Sequence, residues 1–169
     1  MKAQYAILRF AKYKGPEIGH IEAHNERTKE KYASNPDIDK NRSHLNFHLL
    51  EPERKYRAEA ERQIKDAGCR TRSDSVRVVE ALVTASPEFF KGKKKSEVKA
   101  FFQEALDFIR AHQDPKTIIS AVVHMSTSRI GGTVPYKAVS IRTFMWTVST
   151  CGATGAESMK MLQYWWQLR

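Results

Sequence analysis

His24 heads the segment His24-Asn25-Glu26-Arg27. An imidazole can act as nucleophile, base or metal ligand. On a helix, Arg27 shares its face three residues later, and a guanidinium there can hold a phosphate oxygen. Taken alone, the segment also reads as a solvated polar helix. A second segment runs Arg42-Ser43-His44-Leu45-Asn46-Phe47. In a strand, His44, Asn46 and His48 share one face, opposite Leu45, Phe47 and Leu49. A plain core strand does not carry three such polar residues in a row, whereas the wet face of an edge strand does. His124 closes the β-branched run Thr117 to Met125. It reads as a structural core histidine or as a functional residue at a strand end. Lys91-Gly92-Lys93-Lys94-Lys95 is a basic loop, either merely solvated or in contact with phosphates.

These residues need a frame, and the hydrophobic pattern supplies one. Gln4 to Phe10 alternates Ala6, Leu8 and Phe10 with Tyr5, Ile7 and Arg9, which predicts a strand. Gly15-Pro16 ends it. A polar helix is expected from Ile18 to Lys31, lying across a surface or site. Residues 33–43 form a turn-rich loop, and the strand of the second segment follows. Pro52 opens a helix over Glu53 to Asp66, with Tyr56, Ala60 and Ile64 as its narrow apolar stripe and Gly68 as its stop. Val76 to Val83 reads as a strand. Ser86-Pro87 begins a helical turn over 87–91. Ser96 caps a longer helix that spaces Val98, Phe101, Phe102, Ala105, Leu106 and Ile109 for packing on a sheet. Thr117 to Met125 is a buried strand.

Composition narrows the partners. The chain has 169 residues, 41% apolar and 28% charged, which suits one globular domain with a real core. Lys and Arg number 29 against 19 Asp and Glu, a formal net charge of +10. Such an excess draws polyanions, nucleic acid first and anionic membrane second. No apolar run approaches the ~20 residues of a membrane span. Lys2 and Arg9 leave no signal-peptide core, and Cys69 and Cys151 make neither a disulfide framework nor a zinc cluster. A cytoplasmic protein is expected. The texture changes near Met125. Residues 126–169 hold five basic side chains and one acidic one, with all three tryptophans. Two parts follow: residues 1–125, of alternating strands and helices, and an atypical tail at 126–169.

Taken together, the order and spacing are specific. His24-Asn25-Glu26-Arg27, Asp37-Ile38-Asp39, Arg42-Ser43-His44-Leu45-Asn46-Phe47, Tyr56 to Ile64, and Ala121-Val122-Val123-His124-Met125 resemble the plasmid mobilisation and recombination relaxases, the Mob/Pre family, over about residues 4–125. The resemblance implies an α+β fold with a central, mostly antiparallel sheet flanked by helices, related to rolling-circle initiators and incomplete on its C-terminal side. It implies binding of a plasmid transfer origin, as single-stranded or hairpin DNA, and metal-dependent nicking by transesterification. His24 then falls on the nucleophile and Arg27 on the residue that stabilises the scissile phosphate, with Tyr32 and Tyr56 as fallback nucleophiles. Arg42, Ser43, His44, Asn46, Lys93, Lys94 and Lys95 are the expected DNA contacts. A homodimer is among the partners considered.

The same resemblance implies a divalent cation, manganese or magnesium, held by three histidines. His124 matches the first member of the motif His-x-Asp-x-x-Thr-Pro-His-x-His. Ser126 stands at its acid, Arg129 and Ile130 at its Thr-Pro pair, and Gly131 and Thr133 at its last two histidines. One imidazole does not hold Mn²⁺ or Mg²⁺ usefully. The expectation is therefore very weak nicking or none, and a frameshift, recombination or gene end after codon 125. His20 and His48 are spare histidines for a variant metal site. The next strand of the sheet is then expected from Val134 to Ile141, and Trp165-Trp166 would cap exposed apolar surface or promote aggregation. The alternatives to a relaxase are a catalytically inactive DNA-binding remnant and a basic RNA-associated or structural protein.

Overall fold

Five strands form one antiparallel sheet in a computed structural model that describes residues 6–28, 40–125 and 140–147. The strands are β1 (Ala6–Lys14), β2 (Phe47–Leu50), β3 (Val76–Ala85), β4 (Ile118–His124) and β5 (Ser140–Thr147). Their order across the sheet is β1-β3-β5-β4-β2. The helices are α1 (Ile18–Asn25), α2 (Tyr56–Asp66), the short α3 (Pro87–Phe90) and α4 (Lys95–His112). The α+β architecture expected from the sequence is the one observed.

Strand periodicity sorts the sheet into two buried faces. On β3, Val79, Ala81, Val83 and Ala85 point to the side covered by α4, whose Val98, Phe102, Ala105, Leu106 and Ile109 are all buried. The even-numbered Val78 points the other way and joins Ile18 of α1, Tyr56 and Ala60 of α2 and Ile119 of β4. The molecule is thus α4, sheet, then α1 with α2, a three-layer solution to burying two apolar sheet faces. Glu80 shares Val78's side and is satisfied by the Tyr13 hydroxyl, which donates to it at 2.8 Å.

Several boundaries move for identifiable reasons. The polar helix stops at Asn25 rather than Lys31, because Arg27 takes a left-handed backbone conformation (φ +55°). Lys40–Leu45 coils into a 3₁₀ turn, so the strand begins at Phe47 and the expected alternation from His44 is not extended. Glu97, not Ser96, supplies the start of α4: its carboxylate accepts the Lys94 backbone N–H at 2.7 Å. The last described strand is Ser140–Thr147, which runs past the expected end at Ile141, while residues 134–139 lie outside those described. β5 pairs on both sides, with Phe144 beside Ala81 and Ala121. A strand so enclosed reads as a near-continuous apolar run, here Phe144-Met145-Trp146, rather than as an alternation. The tryptophan pair Trp165-Trp166 also lies outside the described residues. No helix among the described residues is long and apolar enough to cross a membrane.

Candidate active site

The site is built where the end of α1 meets the end of β4. Backbone N–H groups of Glu26 and Thr28 bond the carbonyls of Glu22 and Ala23 at 2.9 and 3.1 Å and close α1. Arg27 then adopts the left-handed conformation usually given to glycine or asparagine past a helix end, at a cost of about 1 kcal/mol. Its guanidinium folds back. Nη1 donates to the His24 carbonyl at 3.0 Å and lies 3.4 Å from His24 Nε2. His24 is buried on the last turn of α1, and His124 is buried at the end of β4. Their rings meet edge to face, with centroids 6.2 Å apart. The sheet therefore brings together His24, Arg27 and His124, three residues that the sequence singled out separately. Asn46 stabilises the same end: its side-chain oxygen accepts the Met125 backbone N–H at 2.8 Å, tying the entry of β2 to the exit of β4.

A partly buried polar network backs this turn. The Glu26 carboxylate accepts from the Tyr56 hydroxyl at 2.7 Å and lies 3.2 Å from His48 Nε2. Tyr56 Oη is also 3.1 Å from Ser120 Oγ on β4. The His48 hydrogen bond holds the Glu26 carboxyl below the ordinary carboxylate range, and Glu26 in turn raises the His48 imidazole. Burial pushes the Tyr56 phenol far above its usual value, so it stays a neutral donor. Tyr56 is fully buried, with its hydroxyl spent on Glu26. That burial makes it unsuited to attack a nucleic-acid phosphate. Tyr32 lies outside the described residues.

The basic loop reaches the same end of the sheet. Lys95 Nζ sits 5.4 Å above the Phe47 ring, and Lys93 Nζ sits 4.8 Å above Phe89. Phe47 adjoins Asn46 and pairs with Val123 next to His124. Lys94 and His44 are exposed, Ser43 is half-buried, and the side chain of Arg42 is outside those described. His20 is exposed on α1, and His48 is committed to Glu26.

Residues 2–128 match the plasmid recombination enzyme family, Mob/Pre. The chain belongs to this family. A Bacillus plasmid recombination enzyme is 35% identical over 125 residues, covering 72% of this chain and 30% of that protein. A Staphylococcus aureus type 1 enzyme is 31% identical over 126 residues, covering 72% and 31% respectively. The chain thus spans about 30% of the length of the curated relatives it matches. Among solved structures, a Mn-bound MobM relaxase domain in complex with plasmid pMV158 oriT DNA aligns with TM-score 0.75 and 23% identity. The alignment covers 94% of this chain and 81% of that domain. A second Mn-bound complex gives 0.73 at 24% identity, over 95% and 79%. The shared Mob/Pre fold is evident in both.

Those Mob/Pre neighbours carry manganese. Among the described residues, no group of three His, Cys, Asp or Glu side chains is placed to hold a metal ion. Among the described residues, the His24 imidazole stands edge-on to His124, with its centroid 6.2 Å away. Mn²⁺ and Mg²⁺ take six or so oxygen and nitrogen ligands, so the donors among the described residues do not fit them. Gly131 and Thr133 lie outside the described residues. The sequence assigns no role to Glu26 or Ser120, and it offers Tyr56 as part of an apolar stripe and as a fallback nucleophile, not as a donor to Glu26. The available signal was the polar face carrying His48, which needed a partner from outside its own strand.

Proposed function

We propose that this chain binds plasmid transfer-origin DNA, as a single strand or hairpin, and presents His24 and Arg27 to a backbone phosphate. The observation that carries this reading is the meeting of His24, Arg27 and His124 at one end of a Mob/Pre sheet, with Arg27 folded against His24. Arg42, Ser43, His44 and Asn46 supply contacts from the β2 side, and Lys93, Lys94 and Lys95 extend the positive surface past Phe47. Phosphate contacts of this kind set register and make affinity fall steeply with salt. The expected location is the cytoplasm, where plasmid DNA resides.

The chemistry proposed for the turn is a transesterification. An unprotonated His24 nitrogen attacks the scissile phosphorus, and a P–N bond forms as the P–O3′ bond breaks. The departing 3′ oxygen takes up a proton, and the 5′ phosphate stays on the protein. Arg27 stabilises the charge that builds on the non-bridging oxygens. The donor set around His124 favours a second reading in which DNA is bound with very weak cleavage or none. Incubation of the chain with labelled origin oligonucleotide, with Mn²⁺ and with chelator, separates the two. A covalent protein–DNA band that disappears in His24→Ala supports strand transfer. Salt-sensitive binding without that band supports the binding-only reading. Equal affinity for an unrelated RNA would sink both and leave a basic RNA-associated protein.

A further inference from the structure

We infer that Glu26 is a positioning residue that sets the Arg27 guanidinium for a phosphate, an inference that rests on the DNA reading of the His24–Arg27 turn. A left-handed non-glycine residue persists only where its surroundings over-determine it. The turn's own backbone bonds run back into α1 and do not fix it against the sheet. The Glu26 carboxylate does. It receives Tyr56 of α2 at 2.7 Å and contacts His48 of β2 at 3.2 Å, and through the Tyr56 hydroxyl it reaches Ser120 of β4 at 3.1 Å. One residue away from Arg27, therefore, a half-buried carboxylate is pinned to three separate elements. One of its oxygens is committed to Tyr56 and His48.

This arrangement makes a prediction of unusual sign. Removing a carboxylate from a positive DNA-binding surface strengthens binding if only long-range charge matters. If Glu26 positions Arg27, its removal weakens binding instead. Affinity for a single-stranded origin oligonucleotide, measured in chelator at several salt concentrations, is the test. Arg27→Ala is expected to weaken binding about five- to tenfold, the effect of one charge-assisted phosphate contact. It also lowers the salt slope by about one phosphate. Glu26→Ala should do the same, and the double variant should bind no more weakly than Arg27→Ala alone. Glu26→Gln keeps an acceptor for Tyr56 and should restore most of the loss, which also serves if Glu26→Ala folds poorly. Tighter binding by Glu26→Ala, or additive losses in the double variant, overturns the inference while leaving the DNA reading intact. If Arg27→Ala leaves both affinity and slope unchanged, the DNA reading of the turn fails and the inference fails with it.

Discussion

Tyr56→Phe removes one oxygen from a buried polar contact between α2 and β4. The Tyr56 ring is fully buried, so phenylalanine keeps its packing against Ile18, Ala60, Val78 and Ile119. What is lost is the hydroxyl that donates to Glu26 at 2.7 Å and sits 3.1 Å from Ser120 Oγ. A hydrogen bond to a charged acceptor is worth roughly 1.5–3 kcal/mol, more than a neutral one. Glu26 is 27% exposed and retains His48, so water and imidazole recover part of the loss. Ser120 is fully buried and recovers less. The expected net destabilisation is about 1.5–2 kcal/mol. Urea unfolding followed by circular dichroism would read this as a lower midpoint at unchanged slope. The melting temperature should fall by about 3–8 °C, on the scale for a domain of this size. A change below about 0.5 kcal/mol would mean that the hydroxyl bond contributes no more than an exposed one. The network behind the His24–Arg27 turn would then not be a structural tie.

The Glu26–His48 pair should leave a signature in stability against pH. Glu26 lies below its ordinary 4.5, so its contribution is complete above that pH and is lost as pH falls through the lowered value. His48 lies above its ordinary 6.5, so its contribution is complete below 6.5 and is lost as pH rises through the raised value. Stability from the pair therefore peaks between those two ordinary values, and Glu26→Gln should flatten both flanks of the urea-midpoint profile. Phe102 is fully buried under the sheet, stacked against Phe90 at 5.7 Å, and Phe102→Ala should cost about 3–5 kcal/mol in the same unfolding assay. Replacing Lys93, Lys94 and Lys95 together by Gln should weaken binding to single-stranded DNA uniformly across sequences. It should also reduce the salt slope by two to three phosphates, roughly 0.7 each. An unchanged slope would reduce the loop to solvated surface.

The core was legible because its signals are local. Val79, Ala81 and Val83 alternate on β3, and Val98, Phe102, Leu106 and Ile109 recur at helical spacing on α4, as their burial now shows. His24 and Arg27 were legible as a pair from their spacing, although the contact is made by Arg27 folding back past the end of α1 rather than by a shared helix face. Their closeness to His124 was not, because no local pattern encodes which strand end a helix end will meet. The stop of α1 was hidden for a different reason: Arg27 takes a conformation that sequences usually mark with glycine. Asn46 read as one of a row of polar strand residues, yet its side-chain oxygen closes the backbone at Met125. Tyr56 read correctly as buried stripe, but its hydroxyl needed partners from residues 26 and 120 that only the fold supplies. The extension of β5 past Ile141 was not legible, because a strand paired on both sides loses the alternation that marks an edge strand.

The central claim is that the His24–Arg27 turn of this Mob/Pre chain holds origin DNA through a phosphate. Its most direct test compares the unmodified chain and Arg27→Ala on a labelled origin strand in chelator, titrated across salt concentrations, with an unrelated RNA of equal length as competitor. The account predicts binding without added metal, preference for the DNA strand, and a shallower salt slope in Arg27→Ala. Identical slopes for the two proteins, or displacement by RNA at equal concentration, would contradict it.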